Sequence, residues 1–578
     1  MNDIRMKENT IMENNGTQQL FKGAEIMVKT LEALGVTDIF AYPGGQAIEF
    51  HQAFQKSKIR VILPRHEQGG AFAADGMARA TGKVAVCTAT SGPGATNLLT
   101  GIADAYMDSV PTVFITGQVP AALIGRNAFQ ETDIIGMTRP IVKHSYLVFD
   151  VNDIAQTIVN AFHLAASGRP GPVVVDIPKN AQQAMAPFVF PAGPDLTNYN
   201  VPAKAEPEEI AAIKEMIRKA ERPCVYSGGG IIHADASKEL VEFVEKYNLP
   251  VTTTLLGAGA IPEDHPLSLR WLGMHGTYYA NYAANESDLL ICLGARFDDR
   301  VTGPAAGFAK GAKKIHVDID LSEINKNVHV DLGIVANVKE VLKELNKEPI
   351  RKDYTAWHAQ IAEWKKAHPL TYKRDGKLKP QYVIEKLREL TNGDAIIVPG
   401  VGQHQMWAAQ FYPFKFPRQL LTSGGLGSMG FGLPAAMGAK VAFPEKTVVN
   451  IDGDGSFQMN IQELGTLSSE NIGVKMIILN NQHLGMVAQW EDRFYGSVRG
   501  NTELMNSNSQ RAYPDFVTIA KGYEIPGIEV FTEEELEPAL KKMLETPGPF
   551  LLDCHTLYED HVLPMMPPGK GYKDIITE

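Results

Sequence analysis

The chain is poor in cysteine, with four residues in 578, at positions 87, 224, 292 and 554. They lie far apart and mostly inside apolar runs, so they read as reduced core thiols rather than a disulfide framework or a thiolate metal site. No uninterrupted apolar run approaches the roughly 20 residues that span a bilayer. Positive charge is also short: 55 Lys and Arg stand against 66 Asp and Glu, for a net charge of −11. Nucleic-acid binding, which needs clustered Lys and Arg, is therefore not expected. The first twenty residues carry Asp3, Glu8 and Glu13 and no apolar core. Neither a signal nor a transit peptide is visible there, and the expected compartment is the cytoplasm.

What is present is the composition of a globular protein, 44% hydrophobic and 21% charged. The length predicts three or four domains, each with its own core. After a polar tail over residues 1–20, helical and strand-like segments alternate in three blocks. The first, 21–185, has strand-like runs at Asp38–Ala41, Val61–Leu63, Val84–Thr88, Thr112–Thr116 and Val173–Ile177. Pro-rich Ala186–Pro207 reads as a linker. The second block, 208–345, repeats the alternation through Cys224–Ser227, Val251–Leu255, Leu289–Leu293 and Ile315–Ile319. Its Gly228-Gly229-Gly230 follows a strand, as nucleotide sites do, but does not fit Gly-x-Gly-x-x-Gly. A charged, aromatic connector, Asn346–Pro380, leads to the third block, 381–555. A C-terminal tail, 556–578, follows, and its Pro/Gly-rich part, His561–Glu578, is expected as a flap over the site. The predicted class is α/β, with three doubly wound parallel-sheet domains.

The stretch Thr447–Gly485 carries the chemistry. Val448–Ile451 and Val474–Leu479 read as buried parallel strands, and Phe457, Ile461, Leu464 and Leu467 as one face of a helix between them. Asp452-Gly453-Asp454-Gly455-Ser456 ends the first strand and Asn480-Asn481-Gln482-His483 the second, at the edge where open α/β sheets place ligands. Gly453 and Gly455 let backbone approach a bulky anion, and a following helix start offers N–H groups to phosphate. Asp454 and Asn481, 27 positions apart, offer hard oxygens, and the carbonyl of His483 a third. Completed by phosphate and water, this set suits Mg2+. Singly, Asp-Gly and Asn-Asn are ordinary turn pairs; their placement after two successive strands points to a metal-bound diphosphate. The pattern resembles the thiamine-diphosphate signature, Gly-Asp-Gly followed one helix and one strand later by Asn-Asn.

Thiamine chemistry needs a carboxylate against the aminopyrimidine ring nitrogen, so that the ring's own amino group becomes the base. Glu67, between Arg65-His66 and Gly69-Gly70, is the candidate; the plainer reading is a first-turn glutamate favoured by the helix macrodipole. Longer stretches narrow the family: Tyr42-Pro-Gly-Gly45, Arg65-His-Glu-Gln-Gly-Gly70, Thr90-Ser-Gly-Pro-Gly-Ala-Thr-Asn97, Thr116-Gly-Gln-Val-Pro120, Gly168-Arg-Pro-Gly-Pro172, Gly273-Met-His-Gly276, Ala295-Arg-Phe-Asp-Asp-Arg300 and Gly400-Val-Gly-Gln-His-Gln-Met-Trp407. From about residue 20 onward the chain resembles the catalytic large subunits of the acetohydroxyacid synthases, also called acetolactate synthases.

The resemblance implies thiamine diphosphate, Mg2+ and a structural FAD. It places the active site where the first domain of one subunit meets the third domain of another, in a homodimer or tetramer with a regulatory small subunit. The implied reaction decarboxylates pyruvate and condenses the hydroxyethyl carbanion with a second 2-ketoacid. Pyruvate as acceptor gives 2-acetolactate and 2-ketobutyrate gives 2-aceto-2-hydroxybutyrate, both leading to branched-chain amino acids. Carried over by matching motif, thiamine diphosphate would touch Gly44, Glu67, Pro93 and Asn97 of the first domain. Its contacts in the third would be Val401, Gly402, Gln403, His404, Gly427, Met429, Gly453, Asp454, Gly455, Ser456, Asn481 and His483, with the metal on Asp454, Asn481 and His483. FAD would touch Arg169, Gly228, Gly229, Gly230, Thr254, Leu255, Gly273, Met274, His275, Gly294, Arg296, Asp298, Asp318, Ile319 and Asn337. Gln130, Lys179, Arg300 and Trp490 would line the reacting site beside Glu67.

Several of these have plain alternatives: Met429 and Trp490 as core residues, and Arg300 as half of a surface pair with a neighbouring Asp. Two departures stand out. Asn337 occupies a position where the family usually has Asp, and Gln46 follows Gly44-Gly45 where it has a small residue. Rival readings are another flavin-containing thiamine enzyme, such as pyruvate oxidase or glyoxylate carboligase, and a silent nucleotide-binding scaffold. Glu67 speaks against the carboligase and Arg300 with Trp490 against the oxidase. A silent scaffold is expected to have lost Glu67 or Asp454, and both are present.

Overall fold

Runs of Val, Ile and Leu bounded by Gly or Pro form strands buried on both faces, which is what a parallel sheet covered by helices requires. The structure is a computed structural model and describes residues 19–506 and 512–578; almost all of the predicted tail lies outside them. Three all-parallel sheets result. The first has the spatial order Arg60–Ile62, Asp38–Ala41, Ala85–Ala89, Thr112–Gln118, Val173–Pro178, His144–Leu147. The second runs Ser268–Trp271, Val251–Thr253, Pro223–Ser227, Leu289–Leu293, Lys313–Asp318, Leu332–Val335, and the third Ile396–Pro399, Val448–Gly453, Lys475–Asn480, Phe550–His555, Gly527–Val530.

Several expectations are corrected. Leu20, at the end of the expected tail, opens the strand Leu20–Lys22, which pairs antiparallel with Met185–Pro187 across the boundary of the first domain and the expected linker. The edge strands His144–Leu147, Leu332–Val335 and Gly527–Val530 escape the periodicity reading, because a half-solvated edge does not need a continuous apolar run; Ser268–Trp271 is mostly buried but is broken up by Ser268 and Arg270. Between strands Ala85–Ala89 and Thr112–Gln118 stand two helices, Pro93–Asn97 and Leu99–Met107. The helix predicted through Phe457 and Leu467 is broken, into Asp454–Gln458, a 3-10 turn Ile461–Glu463 and Leu464–Ser469. At the break Asn460 turns inward and donates to Gly430 O (2.8 Å) and Gln68 Oε1 (3.1 Å). The apolar spacing selected the core-facing residues and said nothing about continuity.

The connector is not merely a connector. It holds the helix Thr355–Ala367, whose Trp357 is buried in the second domain's core and donates Nε1–H to Pro223 O at 3.0 Å. The tail, expected as a flap, is a fixed strap. Val562, Met565 and Met566 are buried, Gln489 Nε2 donates to Val562 O (3.1 Å), and Met566 N donates to Met274 O (2.7 Å).

The first and third domains share one hydrophobic core. At its centre, helix Glu67–Thr81 lies against helix Gly432–Ala442, and the contact is backbone to backbone. A Cβ on Gly438 would overlap the Ala73 carbonyl, and one on Gly76 the Ala435 carbonyl. Gly438→Ala should therefore force the helices apart at about 1–3 kcal/mol. The expected result is an apparent Tm lower by several degrees in a thermal melt; an unchanged Tm would show that the seam yields freely.

Candidate active site

Asp454 opens the helix that follows strand Val448–Gly453. It is 1% exposed, and its Oδ2 has no hydrogen-bond partner. Burial pushes its carboxyl up to about 8, although the N–H groups of Gly455 and Gln482 pull the other way. Asn481 follows strand Lys475–Asn480; its Nδ2 donates to Gln403 Oε1 (3.1 Å) and its Oδ1 accepts from His483 N (3.1 Å). The His483 ring stacks on Tyr558 at 4.4 Å. A Cβ on Gly453 would lie 2.7 Å from His404 Nδ1, and one on Gly455 3.6 Å from Met429 Cε. Ser456 faces the loop, its Oγ accepting from Gly430 N at 3.1 Å. Gln403, His404, Met429, Gly453, Asp454, Gly455, Ser456 and Asn481 thus meet at one sheet edge. A desolvated carboxylate oxygen without a donor fits a divalent cation, which supplies the charge that the protein withholds.

The first domain assembles a second group at its own carboxyl edge. Glu67 begins helix Glu67–Thr81 and accepts from Asn97 Nδ2 at 3.0 Å. A Cβ on Gly94 would lie 3.3 Å from Glu67 Oε1; one on Gly44 would strike Thr90, and one on Gly92 would strike Gln130. Lys179 Nζ donates to Gly45 O (3.1 Å), and Gln46 is held by Thr90 and Gln182 through its backbone. Pro93 stands exposed at the first turn of its helix. Gly44 to Gln46 follow strand Asp38–Ala41, Glu67 follows Arg60–Ile62, Thr90 to Asn97 follow Ala85–Ala89, Gln130 follows Thr112–Gln118 and Lys179 follows Val173–Pro178, so chain topology gathers what sequence distance separates.

Between the domains lies a cavity of about 1620 Å3, larger than the roughly 300–1,000 Å3 typical of a drug-sized ligand. Its wall includes Arg169, Gly229, Gly230, Thr254, Leu255, Met274, His275, Gly294, Arg296, Asp298, Asp318, Ile319 and Asn337. Arg300 lines it beside Asp298, and Val401, Gly402, Gly427, Met429 and Trp490 join from the third domain. The lining Trp271 leaves its Nε1 donor unpaired. Space, glycine backbone and a free donor fit a dinucleotide as large as FAD. Burial pushes His275 down to about 4, so it faces the cavity as neutral imidazole.

Some expected contacts are placed otherwise. Gly228 and Gly273 do not line the cavity. A side chain on Gly228 would overlap the Gly294 carbonyl, and Gly273, at φ +115°, donates its N–H to Asn281 Oδ1 (3.1 Å). Both act through backbone packing. Asn337 caps the next helix, its Oδ1 accepting from Lys339 N at 2.9 Å, a task that needs no charge. Arg169 is engaged by Glu323 (2.6 Å) and Asp320 (3.1 Å). Arg300 is 66% exposed beside an 80% exposed Asp299. Glu67, Gln130 and Lys179 are absent from this cavity. Sequence reasoning missed Glu463, whose carboxylate reaches across from the third domain to accept from Arg65 N (3.0 Å), His66 N (3.1 Å) and Thr466 Oγ1 (2.7 Å). No motif marks it.

Residues 21–137, 210–345 and 400–554 match, in turn, the N-terminal TPP binding domain, the central domain and the C-terminal TPP binding domain of thiamine pyrophosphate enzymes. The chain is similar to acetolactate synthase 1, chloroplastic, of Oryza sativa subsp. japonica, at 55% identity over 96% of this chain and 88% of that one. It is 54% identical to acetolactate synthase 1, chloroplastic, of Zea mays, over 96% and 89%. With acetolactate synthase, chloroplastic, of Arabidopsis thaliana it shares 51% over 99% and 87%. These names overturn the cytoplasmic expectation, since the relatives are chloroplastic. The cysteines carry no compartment signal either: all four are buried, and a thiol sealed in a core reports on packing rather than on a compartment.

Burial pushes Glu463 up to about 7, against about 4.3 in an unfolded chain. The folded chain keeps this proton between those values. The associated stability is therefore full below the unfolded pKa and is lost as pH rises through about 7. Between about pH 5 and pH 8 the parent's Tm should fall by several degrees more than that of Glu463→Gln. Equal slopes in melts across this range would exclude a proton held at Glu463.

Proposed function

We infer the work of this chain from its family: it belongs to the acetolactate synthases, which are thiamine pyrophosphate enzymes. It condenses pyruvate in branched-chain amino acid synthesis, with thiamine diphosphate, Mg2+ and FAD. The residue roles are our proposal, and the observation that carries them is the orphaned, buried oxygen of Asp454, at a strand end where the N–H of Gln482 from the neighbouring strand end reaches the same carboxyl.

Thiamine diphosphate, when bound, supplies the nucleophile and electron sink for decarboxylating a 2-ketoacid. Asp454, Asn481 and the His483 carbonyl would hold the metal. Gly453, Gly455, Gln403 and His404 would take the diphosphate, and Met429 would prop the cofactor. Glu67, oriented by Asn97, would hold a proton at the ring nitrogen. FAD would occupy the cavity as a structural group, and Arg300 and Trp490 on its wall would receive the acceptor's carboxylate and apolar end. Domains at 21–185, 208–345 and 381–555 fit this division, with helix Thr355–Ala367 added to the middle one.

We further propose a homodimer or tetramer in which the first-domain face bearing Gly44, Glu67, Pro93, Asn97, Gln130 and Lys179 closes the third-domain site of another copy. Phe129, 86% exposed beside Gln130, supports a covered face there. A regulatory small subunit would complete the assembly. With pyruvate, product should form only when both thiamine diphosphate and Mg2+ are added, and adding 2-ketobutyrate should yield the mixed product. Cofactor-independent turnover would refute the reading.

Glu67→Gln should fold and bind cofactor yet slow C2–H exchange of bound thiamine diphosphate by roughly 10²–10⁴-fold, since the amide cannot hold the ring proton. NMR-followed exchange at the parent rate would remove Glu67 from its role. Asp454→Ala should lose Mg2+-dependent cofactor binding in titration calorimetry, because one of two side-chain oxygens disappears. Parent-like affinity would leave the metal site unsupported.

A further inference from the structure

The loop Ser423–Gly430 carries Met429 and lines the cavity, yet four of its eight residues are glycine. Gly427 and Gly430 sit at φ +74° and +84°. Such a segment has little side-chain packing to fix it and much conformational freedom to lose. Its order must come from hydrogen bonds, and on its upstream side these come from another domain.

Asp108, in the first domain, accepts from two successive loop N–H groups, Gly424 N to Oδ2 (2.8 Å) and Gly425 N to Oδ1 (2.7 Å). Asp104 Oδ1 accepts from the hydroxyls of Ser423 and Ser428, the latter at 3.0 Å. The Ser423 hydroxyl oxygen in turn accepts from Gly427 N (3.0 Å) and Ser428 N (2.9 Å). Arg79 binds both carboxylates through Nη2, at 3.2 Å to Asp104 and 3.0 Å to Asp108, and pairs with Asp75 as well. Its Nη1 donates to Thr422 O (2.9 Å), just before the loop. All three aspartate side chains are fully buried. Three acids around one guanidinium leave surplus negative charge, and burial relieves it with protons, raising Asp75 to about 6 and Asp104 to about 8. Downstream, Gly430 is held within the third domain, by Ser456 Oγ (3.1 Å) and Asn460 Nδ2 (2.8 Å).

We propose that Asp108 and Asp104, held by Arg79, are positioning residues that set the loop Ser423–Gly430, and with it Met429, from the first domain of the same chain. The proposal rests on the reading of Met429 as a thiamine diphosphate contact. Carboxylate-to-N–H bonds are charge-assisted and short, so they fix a glycine backbone more firmly than neutral bonds do. The loop is thereby preorganised before any cofactor arrives, and the ordering cost falls on folding rather than on binding.

The test uses the full-length holoenzyme in three variants: Asp108→Asn, Ser423→Ala and Met429→Ala. Asp108→Asn keeps one acceptor and loses the charge; Ser423→Ala removes the hydroxyl that organises the loop with little change in volume, so it reports even if Asp108→Asn fails to fold. The half-saturating thiamine diphosphate concentration should rise about tenfold or more in both, while the Tm of the cofactor-free protein stays near the parent's in Ser423→Ala. If Ser423→Ala lowers Tm and leaves half-saturation unmoved, the loop contacts serve folding alone and the proposal fails. If Met429→Ala moves half-saturation and the other two do not, the proposal fails and the reading of Met429 stands. If Met429→Ala changes neither half-saturation nor C2–H exchange, that underlying reading fails.

Discussion

A guanidinium cannot be buried without anionic partners, and Arg79 is buried at the seam between the first and third domains. Meeting that constraint draws Asp75, Asp104 and Asp108 to one point. Two of the three aspartates then hold the third-domain loop. The helix that carries Arg79 near its end carries Glu67 at its start. Along its length it touches helix Gly432–Ala442 through glycine, so no intervening side chains can give. At the Glu67 end, Glu463 clamps the preceding peptides. One rigid rod, pinned at both ends by buried carboxylates from the two sides of the seam, thereby relates the two groups of candidate site residues.

Much of this was legible in the sequence, and the reasons differ by element. The interior strands announced themselves because burial on both faces demands unbroken apolar runs, as in Leu289–Leu293, whose limits match the observed strand. Edge strands such as His144–Leu147 gave no such signal. The Asp454 and Asn481 turns were readable because ligand sites in α/β sheets follow strand ends, a rule that needs only strand and turn patterns. Glu463 and the Arg79 cluster were not readable. Glu463 meets Arg65 and His66, 398 and 397 positions away, Arg79 gathers Asp104 and Asp108 from helix Leu99–Met107 and its C-cap, and a lone Glu or Arg looks like a solvated one until the packing is known.

The candidate site divides along the same line. Residues recognised by local pattern fall into three physical groups, one around Asp454, one around Glu67 and one on the cavity walls, which contain none of Asp454, Asn481, Glu67, Gln130 and Lys179. Motif proximity in a family signature is thus no guide to proximity within one chain. Arg300 and Trp490, by contrast, come from separate domains and share a wall. The strap bonds to both of these domains, Met566 to Met274 and Val562 to Gln489.

That strap also sets an order in time. Residues 562–576 leave the ribosome after every strand of the three sheets, when each domain already has what it needs to collapse. A chain cut short before Val562 would hold three intact sheets and pass as folded by helix and strand content. It would nonetheless leave Met274, His275 and Gln489 without their last hydrogen bonds. The wall of the cavity is thus closed by residues that follow every strand of the three sheets, and none of the sheets completes it alone.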